Sequence, residues 1–337
     1  MKLMRNIPTL TFLIFVLLLS ACVAPAAQTL TLSATLVPTL PASLAHTLPP
    51  TLAPTLPATL APTLPASPAP TLLTTSAAAS GLNVDILKNL TFTGPVYGKT
   101  FKLLLGKYEA GSGADYLRAD LLDPIAFGDL NGDGKPDAAV LLAENGGGTG
   151  VFVSLIMLLD QNGAPLQNGS VLVDDRPKIN SIKIQDGKIV LDAVIHGGQD
   201  AMCCPSLPVT ETYALSKSGL VLRKLESITP NGMQRAITIT NPKDGDIVSG
   251  SVPLQGSVTI APFENNLVYR IIDQQGNKLA EGPVMVKADG LGGPGTFNTT
   301  IDLSKIPPGL LVRLELVDQS AADGSTLAMD SVELMIK

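Results

Sequence analysis

Four oxygen-bearing side chains fall within nine residues at Asp129, Asn131, Asp133 and Asp137, which are positions 1, 3, 5 and 9 of one short loop. Gly134 at position 6 permits the sharp turn that lets such groups converge, and Lys135 at position 7 would contribute its backbone carbonyl. Carboxylates and an amide in this register are hard ligands, and the ion they predict is Ca2+. An Asn-Gly/Asp-Gly turn with acidic decoration is the simpler alternative, but a plain turn does not need acids in that register.

Other reactive residue types are sparse. The chain has two histidines, His46 and His196. His196 precedes Gly197-Gly198-Gln199-Asp200, and a Ser-His-Asp set need not be contiguous in sequence. No Gly-x-Ser-x-Gly nucleophile turn accompanies it, however. A transition-metal site of His196, Cys203 and Cys204 would draw three ligands from one loop, which is a weak pattern. Asp174-Asp175 beside Arg176 reads as a solvated turn. Asn145-Gly146-Gly147-Gly148-Thr149-Gly150 lacks the Lys-Ser/Thr of a phosphate loop and reads as a hairpin tip.

Three cysteines remain to be placed: Cys22, Cys203 and Cys204. If Cys22 is lipidated, the neighbours Cys203 and Cys204 have only each other in an oxidising compartment. Adjacent α-carbons lie about 3.8 Å apart, below the usual disulfide range of roughly 4.4–6.8 Å, so closure requires distortion. A disulfide and a pair of buried thiols both stay open.

The elements that must position these groups follow from composition. The 337-residue chain is 45% hydrophobic but 4% aromatic, with no Trp, 31 Gly and 27 Pro. That mixture predicts β-structure rich in turns, plus a low-complexity segment. A net charge of −6 argues against nucleic acid as a partner.

Residues 1–22 read as a targeting segment. Lys2 and Arg5 precede an apolar run from Leu10 to Leu19 that is too short to span a bilayer. Leu19-Ser20-Ala21-Cys22 resembles the bacterial lipobox, and the resemblance implies cleavage that leaves Cys22 as a lipidated N-terminus on the outer side of the cell membrane. Residues 23–80 carry no charge and recur in Pro between Pro38 and Pro70, which predicts an extended stalk containing an idle His46.

Residues 81–228 predict a β-rich antiparallel domain, possibly α+β, with a short helix from Val84. Its strands are expected at Lys99–Tyr108, Tyr116–Phe127, Asp137–Leu142, Val151–Leu159, Ser181–Gln185, Lys188–His196, Thr210–Leu215 and Leu220–Leu225. Within this span Ala126-Phe127-Gly128 followed by Asp129 to Gly134 resembles the calcium loop of FG-GAP repeats. The resemblance implies Asp129, Asn131, Asp133 and Asp137 as ligands; a single copy does not predict a propeller.

Residues 229–235, with Pro230-Asn231-Gly232, read as a linker. Residues 236–337 then alternate through about seven strands, the count and length of an immunoglobulin-like sandwich. Asn241-Pro242-Lys243-Asp244-Gly245, Val252–Gly256, Asp273–Gly276, Gly295-Thr296-Phe297 and Glu315–Ser325 follow in order. This series resembles the bacterial immunoglobulin-like domain of spore-germination-associated surface lipoproteins. The resemblance implies an extracytoplasmic binding or scaffolding module with no catalytic residue.

These features predict a lipid-anchored, calcium-stabilised, non-enzymatic envelope protein that binds a protein or glycan. An extracytoplasmic hydrolase acting through His196 and nearby carboxylates is the competing class.

Overall fold

The computed structural model describes residues 81–290 and 292–337. The predicted signal segment, Cys22, the stalk and His46 lie outside the described residues.

Asn83 is extended and accepts from the Ile86 amide at 3.0 Å, starting helix α1 (Val84–Lys88). Strands β1 (Thr91–Thr93) and β2 (Thr100–Lys102) then pair with Phe92 opposite Phe101, both buried. The single strand expected over Lys99–Tyr108 is corrected here. The chain reverses at Leu104–Lys107, whose N–H groups exchange bonds of 2.8 and 3.1 Å with each other's carbonyls, before β3 (Lys107–Ala110) begins.

Next come β4 (Leu117–Gly128), β5 (Asp137–Asn145), β6 (Phe152–Gln161) and β7 (Ala164–Asp175). With β3 they form a five-stranded antiparallel sheet in the order β3-β4-β5-β6-β7. The glycine-rich tip and Asn162-Gly163 are hairpin turns in this sheet, as their composition predicts. Strands β5 and β6 are covered on both faces. Val140, Leu142, Ile156 and Leu158 pack under Leu87, Phe92 and Phe101. Leu141, Leu155 and Met157 face a second sheet carrying Ile189, Leu191, Val209 and Tyr213. Burial on both sides is why 138–142 has no polar alternation.

That second sheet begins with β8 (Lys178–Gln185), β9 (Lys188–Ile195), β10 (Leu207–Ser216) and β11 (Gly219–Ile228), each antiparallel to the next. The linker predicted at 229–235 is not a free segment. It contains β12 (Gln234–Arg235), which pairs with β11, and the Arg235 guanidinium meets Asp318 at 2.6 Å.

The remaining strands are β13 (Ile237–Asn241), β14 (Asp246–Val248), β15 (Ser251–Val258), β16 (Asn266–Ile272), β17 (Lys278–Met285), β18 (Lys287–Ala288), β19 (Gly295–Asp302), β20 (Leu311–Gln319) and β21 (Thr326–Ile336). A four-stranded sheet, β13-β15-β19-β18, faces β17-β16-β20-β21 across a core that includes Ile237, Leu254, Phe297, Leu267, Leu314 and Leu334. This is an immunoglobulin-like β-sandwich, with β14 running parallel to β21.

The two halves share a sheet. Strand β21 pairs with β11 through Lys224 opposite Asp330 and Leu225 opposite Met329. The order β17-β16-β20-β21-β11-β10-β9-β8 is therefore continuous. Leu225, Val317 and Met329 pack at the seam. Beside them buried Arg223 donates to Asp244 and to the Ser331 carbonyl, while the Ser331 hydroxyl donates back to the Arg223 carbonyl at 2.9 Å.

Candidate functional site

The acidic loop joins β4 to β5. Asp129 accepts from the Gly132 amide at 2.7 Å through Oδ1 and from the Gly134 amide at 2.8 Å through Oδ2. Asn131 accepts from the Asp133 amide, and Asp133 from the Lys135 amide, each at 2.9 Å. The amide bonds to Asp129, the one from Gly134 first among them, hold its carboxyl below its ordinary range. Gly132 and Gly134 both sit at φ +80°, a conformation their lack of Cβ makes accessible.

Asp137 has a different place. It is fully buried and accepts from the Leu130 amide and the Asp160 amide, both at 2.8 Å. It thereby ties the base of the loop to the end of β6. Lys135 extends its ammonium to Asn162 Oδ1 at 2.9 Å. The donor atoms are the hard oxygens that suit Ca2+, with lone pairs beyond those given to amides. Yet among the described residues no three His, Cys, Asp or Glu side chains are grouped to hold a metal.

A second constellation lies where the halves meet. Asp174 Oδ2 accepts from the His196 backbone N–H at 2.6 Å and contacts the ring Nδ1 at 2.8 Å. That side-chain bond raises the His196 pKa above its ordinary value, against partial burial. Nε2 is buried and has no hydrogen-bond partner. Asp175 is buried, accepts from the Val151 amide at 2.7 Å and pairs with Arg176 at 2.6 Å, so its carboxyl stays ionised to lower pH. Arg176 also donates to the Met202 carbonyl. The solvated turn expected at Asp174-Asp175 is thus corrected: both acids end strand β7 and organise the loop that follows β9.

That loop is closed by Asp200, which accepts from the Gly197 amide, the Ser206 amide and the Ser206 hydroxyl at 2.7–2.8 Å. Within it Cys203 and Cys204 are bonded to each other, with α-carbons 3.7 Å apart, and both are exposed. Gly198 abuts the turn between β20 and β21 so closely that a Cβ there would fall 1.7 Å from Asp323 Oδ2. Gln199 donates to the same oxygen at 3.2 Å. An open cleft of about 690 Å³ follows, walled by this loop, by Ile228–Gly232 and by Ser320, Asp323 and Leu327.

The structure does not bring the predicted residues into one site. The Asp129 loop, with its base at Leu130 and Asp160, and the His196 loop, against the turn at Asp323, are separate. The roles of Asp174 and Asp323 were not legible locally, because Asp174 bonds His196 22 positions away and Asp323 bonds Gln199 across 124.

No curated protein matches the chain. Residues 236–325, which run from β13 through the turn bearing Asp323, match the family described as the immunoglobulin-like domain of bacterial spore germination, and this part of the chain is an immunoglobulin-like domain similar to that family.

Proposed function

We infer that the chain is a non-catalytic, extracytoplasmic binding protein, anchored to the cell membrane by a lipid at Cys22 and stiffened by Ca2+ at the Asp129 loop. Its partner is an envelope protein or glycan. The observation that carries this reading is the cleft shared by the two halves, which the continuous sheet holds open and pre-formed. Pre-organised walls lower the ordering cost of binding. The apolar Leu207, Pro208, Ile228 and Leu327 supply contact area, and Asp323, Ser206 and Ser325 supply polar recognition. The immunoglobulin-like half supports extracytoplasmic placement.

The hydrolase reading is less favoured because His196 Nε2, the atom that would take a proton from a nucleophile, is buried with no hydroxyl or thiol bonded to it. The two readings separate in one experiment on lipid-free cell-wall sacculi. Retention of the full chain should fall at least tenfold with Pro230→Trp, which fills the cleft, and persist with His196→Gln. Release of soluble glycan fragments by the wild type, lost in His196→Gln, would establish the hydrolase instead.

A further inference from the structure

Among the described residues, three two-residue hairpin turns use the same left-handed pair of conformations. Asn162-Gly163 sits at φ +57° and +89°, and Asp186-Gly187 at +52° and +69°. Leu105-Gly106 sits at +52° and +84°. Asn and Asp tolerate this region because their short polar side chains bond locally, whereas a bulky apolar residue there is an outlier. The first two turns follow that rule and the third breaks it.

The departure is not hidden in the core. Leu104 and Leu105 are 73% and 74% exposed, while the preceding Leu103 is 1% exposed. Nor is the tip loose. The Leu105 amide donates to Asn89 Oδ1 at 3.2 Å, the Gly106 amide to the Lys88 carbonyl at 2.6 Å, and the Leu121 amide to the Gly106 carbonyl at 2.8 Å. Two leucines are therefore held outward on a rigid turn, in a conformation that disfavours one of them. An observed outlier of this kind points to function rather than to folding.

The surroundings identify the chemistry. Lys102 and Lys107 flank the leucines, both exposed, and Lys88 lies beside Gly106. None of the three is in an ion pair among the described residues. Of the nearby acids, Asp120 pairs with Arg118 at 2.7 Å and Glu109 accepts from the Tyr116 hydroxyl at 2.9 Å, while Asp85 on α1 is exposed. A protein of net charge −6 thus presents, at this turn, apolar tips beside three ammonium groups that are in no ion pair among the described residues. The turn also rests on α1, the first element among the described residues.

We propose that the Leu104–Leu105 turn docks on an anionic lipid surface, with the leucines entering the interface and Lys88, Lys102 and Lys107 meeting headgroup phosphates. Apolar insertion and attraction of lysines to acidic lipid are the two forces that bind peripheral proteins. The choice of a bilayer as occupant rests on the Cys22 anchor reading, since a tethered domain meets that surface repeatedly.

The chain contains no Trp, so Leu105→Trp introduces a single reporter. The full chain is reconstituted in vesicles of brominated phosphatidylglycerol mixed with phosphatidylcholine, and in phosphatidylcholine alone. The introduced indole should shift to the blue and be quenched in the first and not the second. Adding Lys102→Glu and Lys107→Glu should weaken the effect at least tenfold. Phe263→Trp, an exposed position in the immunoglobulin-like half, should show no quenching. Leu105→Asn should fold with an equal or higher melting temperature, so that its loss of docking is not misfolding. Absence of quenching at Leu105→Trp, or equal quenching at Phe263→Trp, overturns the proposal. The mass of the same sample reports lipid on Cys22 separately, so the anchor and the docking turn fail independently.

Discussion

At the residue scale, His196 shows how one contact couples stability to pH. Its Nδ1 bond to Asp174 favours the protonated ring in the folded state, so the folded chain binds that proton more tightly than the unfolded chain does. The contribution is complete below the unfolded value near pH 6.5 and is lost as pH rises through the higher folded value. Stability measured by urea unfolding should therefore fall as pH rises above about 6.5. His196→Gln, which does not titrate, should flatten that fall; an unchanged slope would assign it to another group. His196 itself stood out in the sequence, but its role did not. Asp174 is 22 positions away, and nothing in Asp174-Asp175-Arg176 distinguishes a half-buried and a buried hydrogen-bonding acid from a surface turn.

At the scale of elements, the loop between β4 and β5 is already ordered by bonds from its amides to Asp129, Asn131 and Asp133. A cation binding there has to draw carboxylates together against their mutual repulsion, and the folded state alone presents them in one loop. Calcium at 100 times its dissociation constant should stabilise the fold by about 2.7 kcal/mol. The melting temperature should rise with calcium and fall with chelator, and Asp133→Ala should erase the difference. Identical curves would remove the ion from the account.

The strands themselves were largely legible, since alternation or unbroken apolar runs mark β5, β6, β9, β13, β15 and β20. Strand β7 escaped because its residues Ala164–Asp175 include Pro165 and Gly169 and are mostly half-buried, so no face reads as apolar. The break before β3 escaped for the opposite reason: Leu103-Leu104-Leu105 looks like strand interior. The cleft was not legible at all, because it depends on pairings one hundred or more positions apart.

At the scale of the whole molecule, the seam between the halves is built like the interior of a domain. Arg223 is buried against Ser331, Asp244 and Glu333, and the Ser227 hydroxyl donates to the Leu327 carbonyl at 2.6 Å. Removing the guanidinium leaves acceptors unmet, although Asp244 and Glu333 can still reach water, so Arg223→Ala should cost about 2 kcal/mol. Unfolding of residues 81–337 should be one transition whether followed by circular dichroism or by a probe in either half. Two transitions in the wild type would mean that the shared sheet does not couple the halves.

Strand β21 carries a consequence for biogenesis. It lies between β20 and β11, it follows both in sequence, and it extends beyond residue 325, where the family resemblance ends. A chain threaded outward from its N-terminus exposes β11 before the strand that covers it has emerged. Until then β11 offers unpaired amides and carbonyls beside Leu225, the kind of edge that recruits strands from other molecules. Maturation of the N-terminal half therefore waits on Thr326–Ile336, and a nascent or clipped product lacking them leaves a sticky seam in place of a finished one.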